Sequence, residues 1–127
     1  MTFNSSALFM TSVTFAILTG CASVSSAPVK VSDGVLVGPN GMTLYTFDKD
    51  VAGSGKSVCN SPCATNWPPL MAAKDESASG DFSIITRDDG SKQWAMKGKP
   101  VYYWAKDSKP GDKTGHGING IWQVAKP

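Results

Sequence analysis

Charge is scarce in this chain, and what there is has no block structure. Charged residues make up 17% of the sequence, against about 25% in ordinary globular proteins. The basic residues are eleven Lys and a single Arg, interleaved with ten acids, for a formal net charge of +2. That is a mixed, solvated surface, and it argues against nucleic acid as a partner. Histidine is nearly absent: His116 stands alone. A Ser-His-Asp site would have to use it, and no Gly-x-Ser-x-Gly turn surrounds any Ser. One His also leaves too few ligands for a hydrolytic zinc site. There is no Cys-x-x-Cys-His, which excludes covalently attached c-type haem. Gly115–Gly120 is glycine-rich, but no helix pattern follows to cradle a phosphate. No catalytic constellation emerges, so a non-enzyme is expected.

Long helical periods are also missing. Thirteen Gly and eight Pro favour turns and short strands. With 127 residues and 41% hydrophobic content, one small domain with one core is expected. The fold class is mainly β, with little helix after the N-terminal segment, although a short helix near 71–78 is allowed.

The first 29 residues carry no side-chain charge. Within them, residues 7–19 form an apolar run of signal-peptide length, too short and too rich in Ser and Thr to span a bilayer. It ends in Leu18-Thr19-Gly20-Cys21, which resembles the lipobox of bacterial lipoprotein precursors: a branched apolar residue, two small residues, then Cys. The Cys thiol is the group that takes the diacylglycerol. The segment before the apolar run departs from the usual pattern in lacking Lys and Arg. The expected organisation is a lipoprotein signal peptide over 1–20, acylated Cys21 with a flexible tether over 21–32, and a β-rich domain over 33–127. Its partner is then a membrane, reached through lipid on Cys21, with multiple acyl chains contributing about 0.8 kcal/mol per buried CH₂. Ala22 in place of Asp resembles the outer-membrane sorting pattern of Gram-negative lipoproteins, facing the periplasm.

Setting Cys21 aside leaves Cys59 and Cys63, an even pair in an oxidising compartment. Asn60-Ser61-Pro62 between them are turn formers, and a bridge closing so short a loop is worth ~2 kcal/mol in the chain-entropy model. A structural disulfide is the favoured reading. The alternative is a copper site or a thiol-redox pair, because Cys-x₃-Cys with a distant His resembles the site of Sco-type copper chaperones. Cys59, Cys63 and His116 would supply ligands that suit copper, with Met71 as a further soft donor. Those chaperones have a thioredoxin-like βαβ fold, for which no helical period exists here.

The chain repeats itself at an offset of 57. Gly41-Met42-Thr43-Leu44-Tyr45-Thr46-Phe47-Asp48-Lys49-Asp50 aligns with Gly98-Lys99-Pro100-Val101-Tyr102-Tyr103-Trp104-Ala105-Lys106-Asp107. A Gly-rich, Lys-bearing loop follows each copy, and Trp67 or Trp122 closes it. Val35–Val37 and Gln93–Met96 precede the copies as partner strands, with Gly38–Gly41 and Lys97–Pro100 as turns, and Asp81–Arg87 is a further strand. Two related β-hairpin repeats, about 33–73 and 90–126, are therefore expected. Strand alternation puts Tyr45 with Phe47, and Tyr102 with Trp104, on one face, opposite Leu44, Val101 and Tyr103. These aromatics, with Trp67 and Trp122, are expected to pack the core; an exposed ligand-stacking platform is the alternative. Asp50 and Asp107 are expected to fix the loop exits as Asx-type turns, with a carboxylate pair for a cation or basic ligand as the alternative.

Tyr45-x-Phe47-x-x-Asp50 and Tyr102-x-Trp104-x-x-Asp107 match the Tyr-x-[Phe/Trp/Tyr]-x-x-Asp motif of a family of predicted bacterial lipoproteins. Cys59-x₃-Cys63-Ala64 and Trp67-Pro68-Pro69-Leu70 are also similar to that family. The resemblance covers about 33–126 and implies a secreted or lipid-anchored envelope protein with tandem repeats and no established activity. The second copy lacks the Cys pair, so thiol chemistry is confined to the first. The function expected is a non-catalytic binding or structural module of unknown ligand, with the copper or redox accessory role as the alternative.

Overall fold

The computed structural model describes Thr14 and residues 27–127. The expected signal peptide (Thr14 apart) and the first half of the expected tether, residues 21–26 with Cys21, lie outside the described residues. Seven short strands follow: β1 (Lys30–Ser32), β2 (Val35–Val37), β3 (Tyr45–Phe47), β4 (Phe82–Thr86), β5 (Lys92–Met96), β6 (Lys99–Tyr102) and β7 (Trp122–Val124). β1 and β2 form a two-stranded ribbon; the others form an antiparallel sheet in the order β4-β5-β6-β3-β7. The domain is mainly β and built of two repeats, as the sequence pattern requires.

Each repeat has the same parts. A hairpin (β1–β2 or β4–β5) leads to the motif strand (β3 or β6). A loop follows, then a Trp-bearing segment that returns along the motif strand. Asp33 and Gly34, at φ 49° and 76°, turn β1 into β2; Lys97 and Gly98, at φ 50° and 82°, turn β5 into β6. Two positive φ values in a two-residue turn give the twist that antiparallel ribbons need. The second turn is therefore confined to Lys97-Gly98, and Lys99 and Pro100 belong to β6, not to the turn expected over 97–100. The β1 strand likewise begins inside the segment expected as tether. Its side chains are all exposed, so only backbone pairing holds it, and no burial pattern announces it; the Asp-Gly dipeptide was the available signal.

The two motif strands pair with each other at the domain centre: Tyr45 stands opposite Tyr102, and Thr46 opposite Val101. A pseudo-two-fold axis runs through this pairing. The Trp segments obey it too. Tyr45 pairs with Val124 in β7, and Tyr102 forms a bridge with Pro69. Ala125 N–H donates to the Leu44 carbonyl, as Leu70 N–H donates to the Val101 carbonyl.

The sheet has a core on each face. One holds Leu36, Leu44 and Ala125 with their counterparts Trp94, Val101 and Leu70. The other holds Tyr45, Phe47, Tyr102, Trp67, Trp122 and Cys59, with Trp104 half-buried at its margin. The face assignments follow the strand alternation. Trp94, fully buried, was not among the expected core residues. The short helix lies at α1 (Cys63–Asn66), a single turn; residues 71–78 form no helix, since Lys74–Gly80 is a polar run without an apolar face to bury.

Candidate functional site

The aromatic core of the second face is an ordered stack. Trp67 and Trp122 lie parallel, centroids 3.7 Å apart and planes 3° from parallel. Phe47 stacks on Trp122 at 4.2 Å and Trp104 on Trp67 at 4.1 Å. The four rings thus run Phe47–Trp122–Trp67–Trp104, with the pseudo-two-fold between the central Trp pair. Tyr45 meets Trp67 edge-on at 5.4 Å and Tyr102 meets Trp122 edge-on at 5.3 Å, the arrangement that ring quadrupoles favour, worth about 0.5–1.5 kcal/mol per pair beyond area burial. Gly115 is required beside the stack: a Cβ there would lie 2.9 Å from Trp67 and 3.0 Å from Trp104.

Both tyrosines are completely buried, so a ligand-stacking platform on Tyr45 and Tyr102 is ruled out. Strand pairing and ring packing leave neither ring a face for solvent. Their hydroxyls explain the aspartates. Tyr45 donates to Asp107 Oδ2 at 2.6 Å, and Tyr102 donates to Asp50 Oδ2 at 2.6 Å. Each repeat's Tyr thus bonds the other repeat's Asp. The remaining carboxylate oxygens hold the loops: Asp50 Oδ1 accepts from Val58 N–H at 2.8 Å, and Asp107 Oδ1 accepts from Thr114 N–H and Oγ1 at 3.1 and 2.6 Å. The aspartates do fix the loops, but across seven or eight residues and between repeats, in place of the Asx-type turn expected. Asp50 is 3% exposed, and burial pushes its carboxyl above the usual range, against the pull of the Tyr102 and Val58 bonds. Burial and the neighbouring carboxylates hold both tyrosine hydroxyls well above the ordinary value of 10.0.

A buried polar network departs from the symmetry. The Arg87 side chain donates from Nη1 to Ser57 Oγ and Gln93 Oε1 at 3.0 and 2.7 Å, and from Nη2 to the Cys59 carbonyl at 2.5 Å. Gln93 Nε2 donates to the Val101 carbonyl at 2.9 Å. Ser57 Oγ lies 2.5 Å from Tyr102 Oη; since the Tyr102 proton goes to Asp50, Ser57 is the donor. The lone Arg is thus linked to Asp50 through Ser57 and Tyr102. Arg87, Gln93 and Ser57 lie outside the repeated motif. Their one signal was a single Arg among eleven Lys, a choice that a buried, multiply bonded guanidinium demands.

Cys59 and Cys63 are bridged. Cys59 is buried against the aromatic core and Cys63 is half-buried. The sulfurs are therefore bonded to each other in this state. His116 is exposed, and its Nδ1 accepts from Val124 N–H at 3.1 Å. Met71 sits on the surface, 47% exposed. Among the described residues no cluster of three or more His, Cys, Asp or Glu is arranged to hold a metal, and no helix is long and apolar enough to cross a membrane.

No curated protein and no solved structure matches this chain significantly. Residues 27–71 and 83–126 each match the sequence pattern of one family, and these spans coincide with the two structural repeats. These two matches, which together cover more than half of the chain, place it in the Lipoprotein_15 family, a secreted repeat of unknown function.

Proposed function

We propose that this protein is an envelope-anchored, non-catalytic lipoprotein: a rigid binding or structural module held on a lipid attached to Cys21. One observation carries the reading. Leu18-Thr19-Gly20-Cys21 follows an uncharged apolar run and stands nine residues ahead of β1. Acylation there would tether the folded domain within a few nanometres of the bilayer. The spending of the motif on the interior supports the non-catalytic part. Tyr45, Asp50, Tyr102 and Asp107 are all buried and paired across the repeats, so the recurring chemistry of the repeat serves cohesion. Ala22 favours the outer membrane, with the domain facing the periplasm.

The test is palmitate labelling and detergent phase partitioning of the chain expressed in a Gram-negative host. The wild-type chain is expected to take label and enter the detergent phase. Cys21→Ala is expected to lose the label and remain aqueous. An unlabelled wild-type chain, or equal partitioning of the two, would remove the anchor.

A further inference from the structure

The two repeats match part for part, so an apolar residue covered in one and bare in the other marks a place for something outside the domain. Leu36 N–H donates to the Ala125 carbonyl at 2.8 Å and Trp94 N–H to the Leu70 carbonyl at 2.9 Å, which makes Leu36 and Trp94 equivalent. Their partners across the hairpins are Val31 and Ile84. Ile84 packs against the core around Leu36 and Trp94, and the loop that leads into β4 borders it through Ala73 and Ala78. Val31, its counterpart, is 59% exposed. What leads into β1 is the segment that starts at Cys21.

Val31 stands at the mouth of an apolar cleft of ≈ 130 Å³ between the two hairpins. Val29 and Val31 share one face of their strand by alternation, and Leu36, Phe82 and Met96 form the rest of the walls. Asp81 at the edge is the one charged residue of the lining. The cleft is well below the about 300–1,000 Å³ of small-molecule sites, so it suits the edge of an apolar layer better than a discrete ligand. The chain enters the domain here, since Ala27 and Val29 pack on the adjoining core. Cys21 lies six residues ahead of Ala27, and that length spans at most about 20 Å when fully extended. Lipid on Cys21 would therefore bring this end of the domain, and no distant one, to the bilayer. Exposed lysines stand next in sequence to the lining: Lys30 between the two valines, Lys97 after Met96, and Lys126 before Pro127. They outnumber the nearby acids Asp33 and Asp81. An apolar patch with a basic margin is what a phospholipid surface accepts.

We propose that the cleft mouth is a membrane-docking face: the domain lies with Val31 in the headgroup boundary of a phospholipid bilayer and its lysines against the lipid phosphates. This rests on the anchored reading and adds an orientation to it. The anchor supplies attachment, and the face fixes which surface the domain turns away from the membrane. The turn joining β4 to β5 and the disulfide loop then point into the aqueous space, because they sit at the opposite end of the β4–β5 hairpin from Phe82 and Met96.

The test places an environment-sensitive fluorophore on the mature, acylated chain in liposomes of phosphatidylethanolamine and phosphatidylglycerol. Cys59 and Cys63 are bridged and Cys21 carries the lipid, so Val31→Cys or Met71→Cys supplies the one free thiol. Met71 is the control: it is exposed and apolar too, but it pairs with Gln93, away from the Met96 end of β5. Flotation with the liposomes reads the anchor by itself. Quenching by a doxyl-labelled lipid reads the face, and it is expected to be at least about threefold stronger at position 31 than at 71. Lys30→Glu/Lys126→Glu, both at exposed positions, is expected to roughly halve the quenching at position 31 with flotation unchanged. A chain that floats but is quenched equally at both positions would overturn the docking face and leave the anchor standing. A position 31 shielded from aqueous iodide yet untouched by the doxyl lipid would also overturn it, since the tether itself would then cover Val31. A chain that does not float would remove the anchor and the docking face together.

Discussion

Removing one hydroxyl from the crossed Tyr–Asp pairs tests whether the repeat motif is a fold device. In Tyr102→Phe the ring keeps its place against Trp122, but Asp50 Oδ2 loses the donor that stood 2.6 Å away, and the Ser57 hydroxyl loses the acceptor of its own proton at 2.5 Å while keeping the bond it accepts from Arg87. Asp50 is 3% exposed, so water does not replace the lost bond. A hydrogen bond to a buried charge is worth about 1.5–3 kcal/mol, with a further cost for the orphaned hydroxyl. A loss of about 3 kcal/mol is expected. For a domain of this size that lowers Tm by about 12 °C. Tyr45→Phe is expected to cost less, about 2 kcal/mol, because Asp107 keeps two bonds from Thr114 and is 9% exposed. Urea denaturation followed by Trp fluorescence measures both. A double-mutant cycle of Tyr102→Phe with Asp50→Asn should return a coupling of about 1.5–2 kcal/mol. A Tyr102→Phe chain within 0.5 kcal/mol of wild type, or a coupling near zero, would refute the view that these bonds join the repeats.

Alkali should act through the same groups. The folded tyrosines bind their protons more tightly than unfolded ones, so their contribution to stability is complete below about pH 10 and drains away as pH climbs beyond it. Burial raises Tyr103 as well, so absorbance at 295 nm should show no tyrosinate until the near-ultraviolet circular dichroism collapses; free titration near pH 10 in a native spectrum would contradict this. Arg87→Lys keeps the charge but loses the fork that reaches Ser57, Gln93 and the Cys59 carbonyl at once. A loss of about 3 kcal/mol by chemical denaturation is expected, and a neutral result would mean the network is incidental. Cys59→Ser/Cys63→Ser is expected to cost about 2 kcal/mol through the freed loop, with the native fluorescence spectrum retained. Gly98→Ala should be poorly tolerated, because its Cβ would stand 2.5 Å from the Gly53 amide nitrogen at φ 82°; wild-type Tm would show that the turn relaxes.

Sequence alone determined the elements that recur. The offset of 57 exposed two copies of one strand, and alternation along each assigned Tyr45, Phe47, Tyr102 and Trp104 to one face and Leu44 and Val101 to the other. Both are local properties: a period-two pattern and a repeated string survive without knowing where the chain goes next. The even Cys pair and its turn-forming spacer were local in the same sense. Tertiary structure decided what those residues meet. No pattern within one repeat shows that Tyr45 bonds Asp107, 62 residues away, or that Tyr102 reaches back to Asp50; that follows only once β3 and β6 pair about a shared axis. The same holds for Arg87, Gln93 and Ser57, which share no motif in the sequence and come together in a buried network. β1 escaped notice because backbone pairing alone orders it and its side chains all face water. A strand that buries nothing leaves no hydrophobic trace, and a bond between distant repeats is fixed by the geometry of their packing.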